Sequence, residues 1–376
     1  DKLAIAQGID PVQFRLDNLI DDGSTLPTGS PGPRGVGIKE ALLKAAVAGG
    51  WKRQGQHLLK PARRKLEDGR YCGIGIACCF KNVGYRAIHA DQSTATVELS
   101  LDKAGNITNV HIAIGASEVG MGVHTVLTQL AAETLGIAVS KVHLHPIDTG
   151  KVPDAGSCSA SRQTYVSGNA VVRACREALK QARRSVSGTI GKEREKNRRT
   201  TKVELTYRVD TGDITSMSEA EMHFAYRSYG YCAQVAEVAV DSSTGQVEVL
   251  RIVSAQDVGR AINPAMIEGQ VGGSVQMGLG FALMEELIVS QGVVNTNNLT
   301  EYIMPTALDM PELTTIIVET PDLFGPYGAK GMGEMPTLPT APAIMSAIRD
   351  AIGVEVYELP AKAEYVWRHV RRKGMV

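Results

Sequence analysis

Thr94-Ala-Thr-Val-Glu-Leu-Ser-Leu101 alternates, with Ala95, Val97, Leu99 and Leu101 on one face. Asp102-Lys-Ala-Gly-Asn106 is a turn, and Val110, Ile112 and Ile114 alternate again. A period of two on both sides of a Gly-Asn turn predicts a β-hairpin. A small-residue loop follows, Gly115-Ala-Ser-Glu-Val-Gly-Met-Gly122. The spacing then changes: Val123, Val126, Leu127, Leu130, Ala131 and Leu135 recur at helical intervals, and Gly136 supplies a stop.

The same device recurs downstream. Ala233 to Val240 and Val247 to Val253 flank the turn Asp241-Ser-Ser-Thr-Gly245, and Ser254 to Gly259 forms the loop. Asn263-Pro264 then supplies an N-cap and first-turn proline. The helix after it carries Gly269, Gly272, Gly273, Gly278 and Gly280. Each glycine costs about 1 kcal/mol in a helix interior, so a backbone or a ligand must come close there. Two related hairpin–loop–helix subdomains meeting at a cleft follow, an α+β fold. The expected division is 1–70 as a helical segment and linker, 71–200 as the first subdomain and 201–376 as the second.

Outward from this pair, Asp1 to Ile20 reads as one or two helices, 21–35 as a linker and Ile38 to Val47 as a helix. Residues 52–70 read as a basic surface loop, and helices are expected near Tyr165–Arg184 and Ala361–Arg372. The N-terminus has no initiator Met and reads as a chain entered partway through a larger protein.

With 376 residues, and Lys+Arg and Asp+Glu both at 40, the chain has no formal net charge. A nucleic-acid or membrane-surface protein would show a basic excess. Residues 190–202 mix both signs without interleaved aromatics and read as a solvated charge run. No apolar run reaches the ~20 residues of a membrane span. The six cysteines include no C-x-x-C pair, which argues against zinc or an iron–sulfur cluster within this chain, and reduced thiols fit a cytoplasmic location.

Three stretches invite a chemical reading. Gly120-Met-Gly-Val-His-Thr125 opens a helix, where bare N–H groups suit an anion; an ordinary tight turn reads equally well. It matches neither Walker A nor the dinucleotide fingerprint. Ser157-Cys-Ser-Ala-Ser-Arg-Gln-Thr-Tyr165 is a hydroxyl-rich approach to a helix: an N-cap loop, or the lining of a polar ligand. A serine nucleophile is disfavoured without a G-x-S-x-G elbow. Gly325-Pro-Tyr-Gly-Ala-Lys-Gly-Met-Gly-Glu334 places four glycines and a lysine before one carboxylate. Glycine lets backbone approach a ligand closely, and Glu334 at the end reads as a catalytic base. The helix behind it is expected from a Thr340 cap, with Ile344, Ile348 and Ile352 inward and Gly353 as its stop.

Together with Asp257-Val-Gly-Arg-Ala-Ile-Asn-Pro264, Glu268-Gly-Gln-Val-Gly-Gly273 and Asp1 to Asn18, these stretches resemble the xanthine dehydrogenase/aldehyde oxidase family of molybdenum hydroxylases. The resemblance runs almost the whole chain, in order. It is to the C-terminal, molybdopterin-binding part of the large (molybdenum) subunit.

The resemblance implies molybdopterin with molybdenum, often as the cytosine dinucleotide. It implies Glu334 as base on the molybdenum-bound hydroxyl, with water as oxygen source and an N-heterocycle such as a purine, or an aldehyde, as substrate. It implies that Ala160 sets its main chain beside the metal. Cofactor contacts fall on Gly120, Met121, Gly122, His124, Thr125, Ser159, Ala160, Ser161, Gln163, Thr164, Met277, Lys330, Gly331 and Gly333. Phe80 and Cys78 resemble a substrate-pocket segment, though a buried strand fits them too. Met121 and Met277 stand where many members have glutamine, so an amide donor is lost at each.

The family's 2Fe-2S clusters and FAD are expected on partner chains or further domains, together with the N-terminal half of the molybdenum subunit. A heteromeric oxidoreductase follows. A cofactor-binding or assembly module without turnover, and a reductase acting on an aromatic thioester, are the alternatives.

Overall fold

The computed structural model describes residues 1–27, 29, 32–55, 57–85, 91–187, 199–209, 226–372 and 374. Most of the charge run at 190–202 therefore lies outside the described residues. The helices are α1 (Lys2–Ala6), α2 (Pro11–Asn18), α3 (Ile38–Ala48), α4 (Val123–Leu135), α5 (Gln163–Ser187), α6 (Pro264–Leu283), α7 (Thr340–Ile352) and α8 (Ala363–Arg372). The strands are β1 (Lys52–Gln54), β2 (His57–Leu59), β3 (Arg64–Lys65), β4 (Tyr71–Val83), β5 (Gln92–Leu101), β6 (Ile107–Ala113), β7 (Val142–Leu144), β8 (Arg199–Arg208), β9 (Ser228–Val240), β10 (Val247–Asp257), β11 (Val289–Ser290), β12 (Val293–Val294) and β13 (Glu312–Val318).

Both expected hairpin–loop–helix units form, and the fold is α+β. Of the two larger sheets, one has four strands in the order β7-β6-β5-β8 and the other five in the order β13-β10-β9-β4-β3. The inward residues read from β5, Ala95, Val97 and Leu99, are fully buried, as are Val110 and Ile112 on β6. They share one core with α4 and α5.

The sheets cut across the expected boundaries at 71 and 201. β4 begins the expected first subdomain but pairs along its whole length with β9. β8 straddles the start of the expected second subdomain yet pairs with β5. Residues 1–70 are not a separate segment either. Ala41, Leu42 and Ala45 of α3 pack on Ile74, Ile76, Val235 and Ala255 of the five-stranded sheet. Backbone pairing between distant strands decides sheet membership, and no local pattern reports it. For the same reason part of 52–70, expected as loop, is strand: β1 pairs β2, and β3 adds an edge to β4.

Helix α7 covers the other face of that sheet. It can do so because β4 carries Gly73 and Gly75. A Cβ on Gly75 would overlap Ala343 O and Ala347 N, and one on Gly73 would overlap Ala347 O and Ala351 N. The helix backbone thus lies directly on the strand. Ile344, Ile348 and Ile352 are fully buried, and Gly353 ends the helix with φ 66°. Thr340 is not the expected cap. It is the first helical residue, and its hydroxyl donates to Gln234 Oε1 at 2.7 Å and to Pro336 O at 2.9 Å.

The glycines of α6 divide. A Cβ on Gly278 would overlap Thr340, so that glycine serves helix packing. Gly269 and Gly273 face open space. The outward side of this helix continues through Met277 and Phe281, each about half exposed, to Leu287 and Val293, both 63% exposed. Exposed apolar side chains are thus grouped on this side of the molecule. Among the described residues, no helix is long and apolar enough to cross a membrane.

Candidate cofactor site

Four loops, each running into a helix, converge: 115–122 before α4, 155–162 before α5, 258–263 before α6 and 325–339 before α7. All four, with α4 and α6, border a cavity of about 460 Å³. Its walls include Met121, Ser159, Ala160, Ser161, Gln163, Thr164, Lys330, Gly331, Gly333 and Glu334, ten of the residues singled out in the sequence.

Buried ion pairs fix the loops. Arg162 is 1% exposed; its Nε donates to Asp91 Oδ1 at 2.6 Å, and its other nitrogens donate to the carbonyls of Ala155, Ser157 and Gln92. That anchor holds Ala160 (φ 51°) and Ser161 (φ 53°) in the left-handed region, which L-residues enter at a cost. The strained turn borders the cavity. Gly331 packs on it so closely that a Cβ would overlap Ser161 O.

The second anchor joins two further loops. Lys330 Nζ donates to Asp257 Oδ2 at 2.5 Å and to Gly35 O at 2.7 Å. Burial pushes the Asp257 carboxyl up, and the Lys330 ammonium offsets part of that rise. Lys330 borders the cavity, but its charge is spent on Asp257.

Glu334 stands at the cavity wall with its side chain half exposed. Ser161 Oγ donates to Glu334 Oε2 at 2.7 Å, and Lys81 Nζ donates to the same oxygen at 2.8 Å. Glu334 N–H in turn donates to Ser161 Oγ at 3.1 Å. Partial burial pushes the carboxyl up, but the Lys81 and Ser161 hydrogen bonds and the Lys81 charge outweigh it, and the net displacement is downward. Glu334 is therefore ionised at neutral pH, as a proton acceptor must be.

The helix end at 120–125 differs from an open anion site. Glu118 Oε1 accepts from Gly120 N and Gly122 N at 2.9 and 2.8 Å, and Oε2 accepts from His124 N at 3.2 Å. The chain's own carboxylate takes the donors that one reading of the sequence gave to a bound anion. His124 Nε2 pairs with Ala116 O, and Thr125 is exposed. Gly120, Gly122, His124 and Thr125 are not among the cavity walls, and Met277 is 53% exposed on α6, also outside them.

Strand parity separates Phe80 and Cys78 from Glu334. Phe80 lies opposite Tyr231, and its ring centroid is 5.8 Å from that of Tyr229. Cys78 packs with the same side of the sheet, against the α3 cluster. The alternate residues of β4 face the Glu334 loop: Cys79 Sγ reaches Met335 O, and Lys81 reaches Glu334. The resemblance pointed one residue away from the side chain that reaches Glu334. A lone lysine in an apolar strand, on the parity of Cys79, was the available signal.

Arg260 and Gln270 also border the cavity and were not singled out individually. Among the described residues no carboxylate pairs with Arg260, so its guanidinium is free to meet an anionic group.

The donor set fits a large anionic cofactor. Arg260, Gln270, Ser159 and Ser161 supply polar contacts, Met121, Val258 and Ile262 supply apolar wall, and the volume lies in the range of cofactor pockets.

Comparison with known proteins agrees. The family model for the molybdopterin cofactor-binding domain matches residues 50–311. A xanthine dehydrogenase molybdenum-binding subunit of Escherichia coli O157:H7 is 28% identical over 398 residues, covering 100% of this chain and 52% of that protein. The gamma subunit of the 6-hydroxypseudooxynicotine dehydrogenase complex of Paenarthrobacter nicotinovorans is 30% identical, covering 82% of this chain and 41% of that protein. The aldehyde oxidoreductase structure from Desulfovibrio gigas superimposes with TM-score 0.80 at 25% identity, covering 99% of this chain and 40% of that one. The chain spans about half the length, or less, of these relatives.

Proposed function

This chain belongs to the molybdopterin cofactor-binding family of molybdenum hydroxylases, as part of the large subunit, and from that we propose that it holds the cofactor of a hydroxylase and supplies its base. The substrate in this reading is an N-heterocycle such as a purine, or an aldehyde. The relatives named for xanthine, 6-hydroxypseudooxynicotine and aldehydes support that range. The observation that carries the proposal is the ionised Glu334 carboxylate, held by Lys81 and Ser161 at the wall of a cofactor-sized cavity.

Molybdopterin, in its cytosine dinucleotide form, would rest against Met121, the 159–164 turn and Gly331–Gly333, with Arg260 on its anionic part. When bound it supplies two-electron redox chemistry, and water supplies the oxygen. This chain's residues position and accept. The strained Ala160–Ser161 turn sets main chain at the cavity, and Glu334 takes the proton lost as the oxygen nucleophile forms. The N-terminal half of the molybdenum subunit completes the pocket, and iron–sulfur and flavin chains or domains carry the electrons away. The apolar outward face of α6 is the surface offered to that N-terminal half.

Glu334→Gln tests the assignment. Turnover of the assembled enzyme should fall by ~3 kcal/mol or more in activation free energy with molybdenum retained. Activity within tenfold of the parent would remove Glu334 as the base.

A further inference from the structure

Lys81 was not among the residues that the sequence singled out, yet it reaches the candidate base across 253 residues of sequence. It sits on β4 beside Gly230 of β9, the pair lying under the Glu334 loop. A Cβ at Gly230 would overlap Met335 Cε, which shows how tightly that row supports the loop. Lys81 Nζ also donates to Asn82 O at 3.3 Å, so the ammonium has a fixed place. Its side chain is 21% exposed.

The two donors on Glu334 converge on one oxygen. Ser161 and Lys81 both bind Oε2, and among the described residues no donor engages Oε1. A carboxylate held at one oxygen cannot swing freely about its terminal torsion. The other oxygen then has a set direction.

We propose that Lys81 is the positioning residue of this site: its ammonium pairs with Oε2 and fixes it, so that Oε1 is the atom that accepts the proton. The proposal rests on the reading of Glu334 as the base. The downward displacement of the Glu334 carboxyl agrees with it. Other charged or titratable groups bordering the cavity are otherwise engaged or lack a contact with Glu334. Lys330 is bound to Asp257 and Arg162 to Asp91, while Arg260 and Cys158 have no hydrogen bond to Glu334. The cation acting directly on the base is Lys81.

The sign follows. A neighbouring cation favours the carboxylate, so its removal raises the pH at which Glu334 becomes protonated. In the assembled enzyme, Lys81→Met should move the acid limb of kcat/KM to higher pH. At the acid end the loss should be ~tenfold, with much less on the alkaline plateau. Lys81→Arg should restore the limb, because it returns the charge. Molybdenum content should stay at the parent level.

A readout free of turnover is the carboxylate band of Glu334 by infrared titration of the cofactor-free chain, referenced to Glu334→Gln. In Lys81→Met it should disappear at higher pH than in the parent. Lys81→Gln serves for both measurements if the methionine variant does not fold. Overlaid pH profiles and an unmoved titration would overturn the role of Lys81 while leaving Glu334→Gln, and so the base, untouched. Loss of molybdenum with an unmoved titration would also overturn it, making Lys81 a cofactor-site residue.

Discussion

Lys330 Nζ lies 2.5 Å from Asp257 Oδ2, and both side chains are wholly sealed from solvent. Lys330 lies in a loop at the cavity, and Asp257 ends β10 just before another. Arg260 N donates to Gly328 O, and Lys330 N donates to Val258 O, so the pair is the centre of a seam between the 257–260 and 328–330 loops. Removing one partner leaves an uncompensated buried charge. Lys330→Met should destabilise the chain by about 3–5 kcal/mol in denaturant unfolding, and Asp257→Leu combined with it should recover much of the loss. A Lys330→Met change below about 1 kcal/mol would show that the seam does not depend on the pair.

Arg260 should matter for loading rather than for folding. Its guanidinium borders the cavity without a carboxylate partner among the described residues. Arg260→Ala should cut the molybdenum content of purified enzyme several-fold and leave the unfolding midpoint unchanged. Arg260→Lys should recover part of it, because a point charge lacks the forked donors. Elemental analysis of the three proteins decides.

Gly75 sets how close α7 lies to β4. A Cβ there would meet Ala343 O and Ala347 N. Gly75→Val should cost about 1–3 kcal/mol through overpacking. A thermal-shift series of Gly75→Ala and Gly75→Val should fall in order of volume. Equal midpoints for all three would mean that the helix can lift off the strand without cost.

The outward face of α6 should be a protein contact. Met277 and Phe281 are each about half exposed, next to the open Gly273 position. Phe281→Glu should leave this chain folded by circular dichroism but weaken its association with the N-terminal half of the molybdenum subunit, the partner proposed above, at least ~tenfold. Co-purification at parental yield would place that contact elsewhere.

Much of the fold was legible in local periodicity. The alternation at 94–101 and 110–114 and the helical spacing at 123–135 report which residues face a core, and they do. The Asn263-Pro264 cap forms as read, with Asn263 Oδ1 accepting from Met266 N at 3.2 Å. The stretches at 157–165 and 325–334 come together at one cavity, as their composition suggested. Sheet membership was not legible. β4 could be recognised as a strand, but its pairing with β9 is a long-range choice among strands of similar pattern.

By itself the sequence determined the elements, the loops that carry chemistry and the carboxylate at their end, because spacing and glycine placement act over a few residues. Only the tertiary structure decided which charges those loops keep. Lys330, in the glycine loop itself, proved to be bound to Asp257, and Glu118 fills the N–H groups at the start of α4. Lys81 arrives on a distant strand to hold Glu334. A charge finds its partner through space, at a few ångströms, and that distance is set by how the sheets and loops pack rather than by the order of residues along the chain.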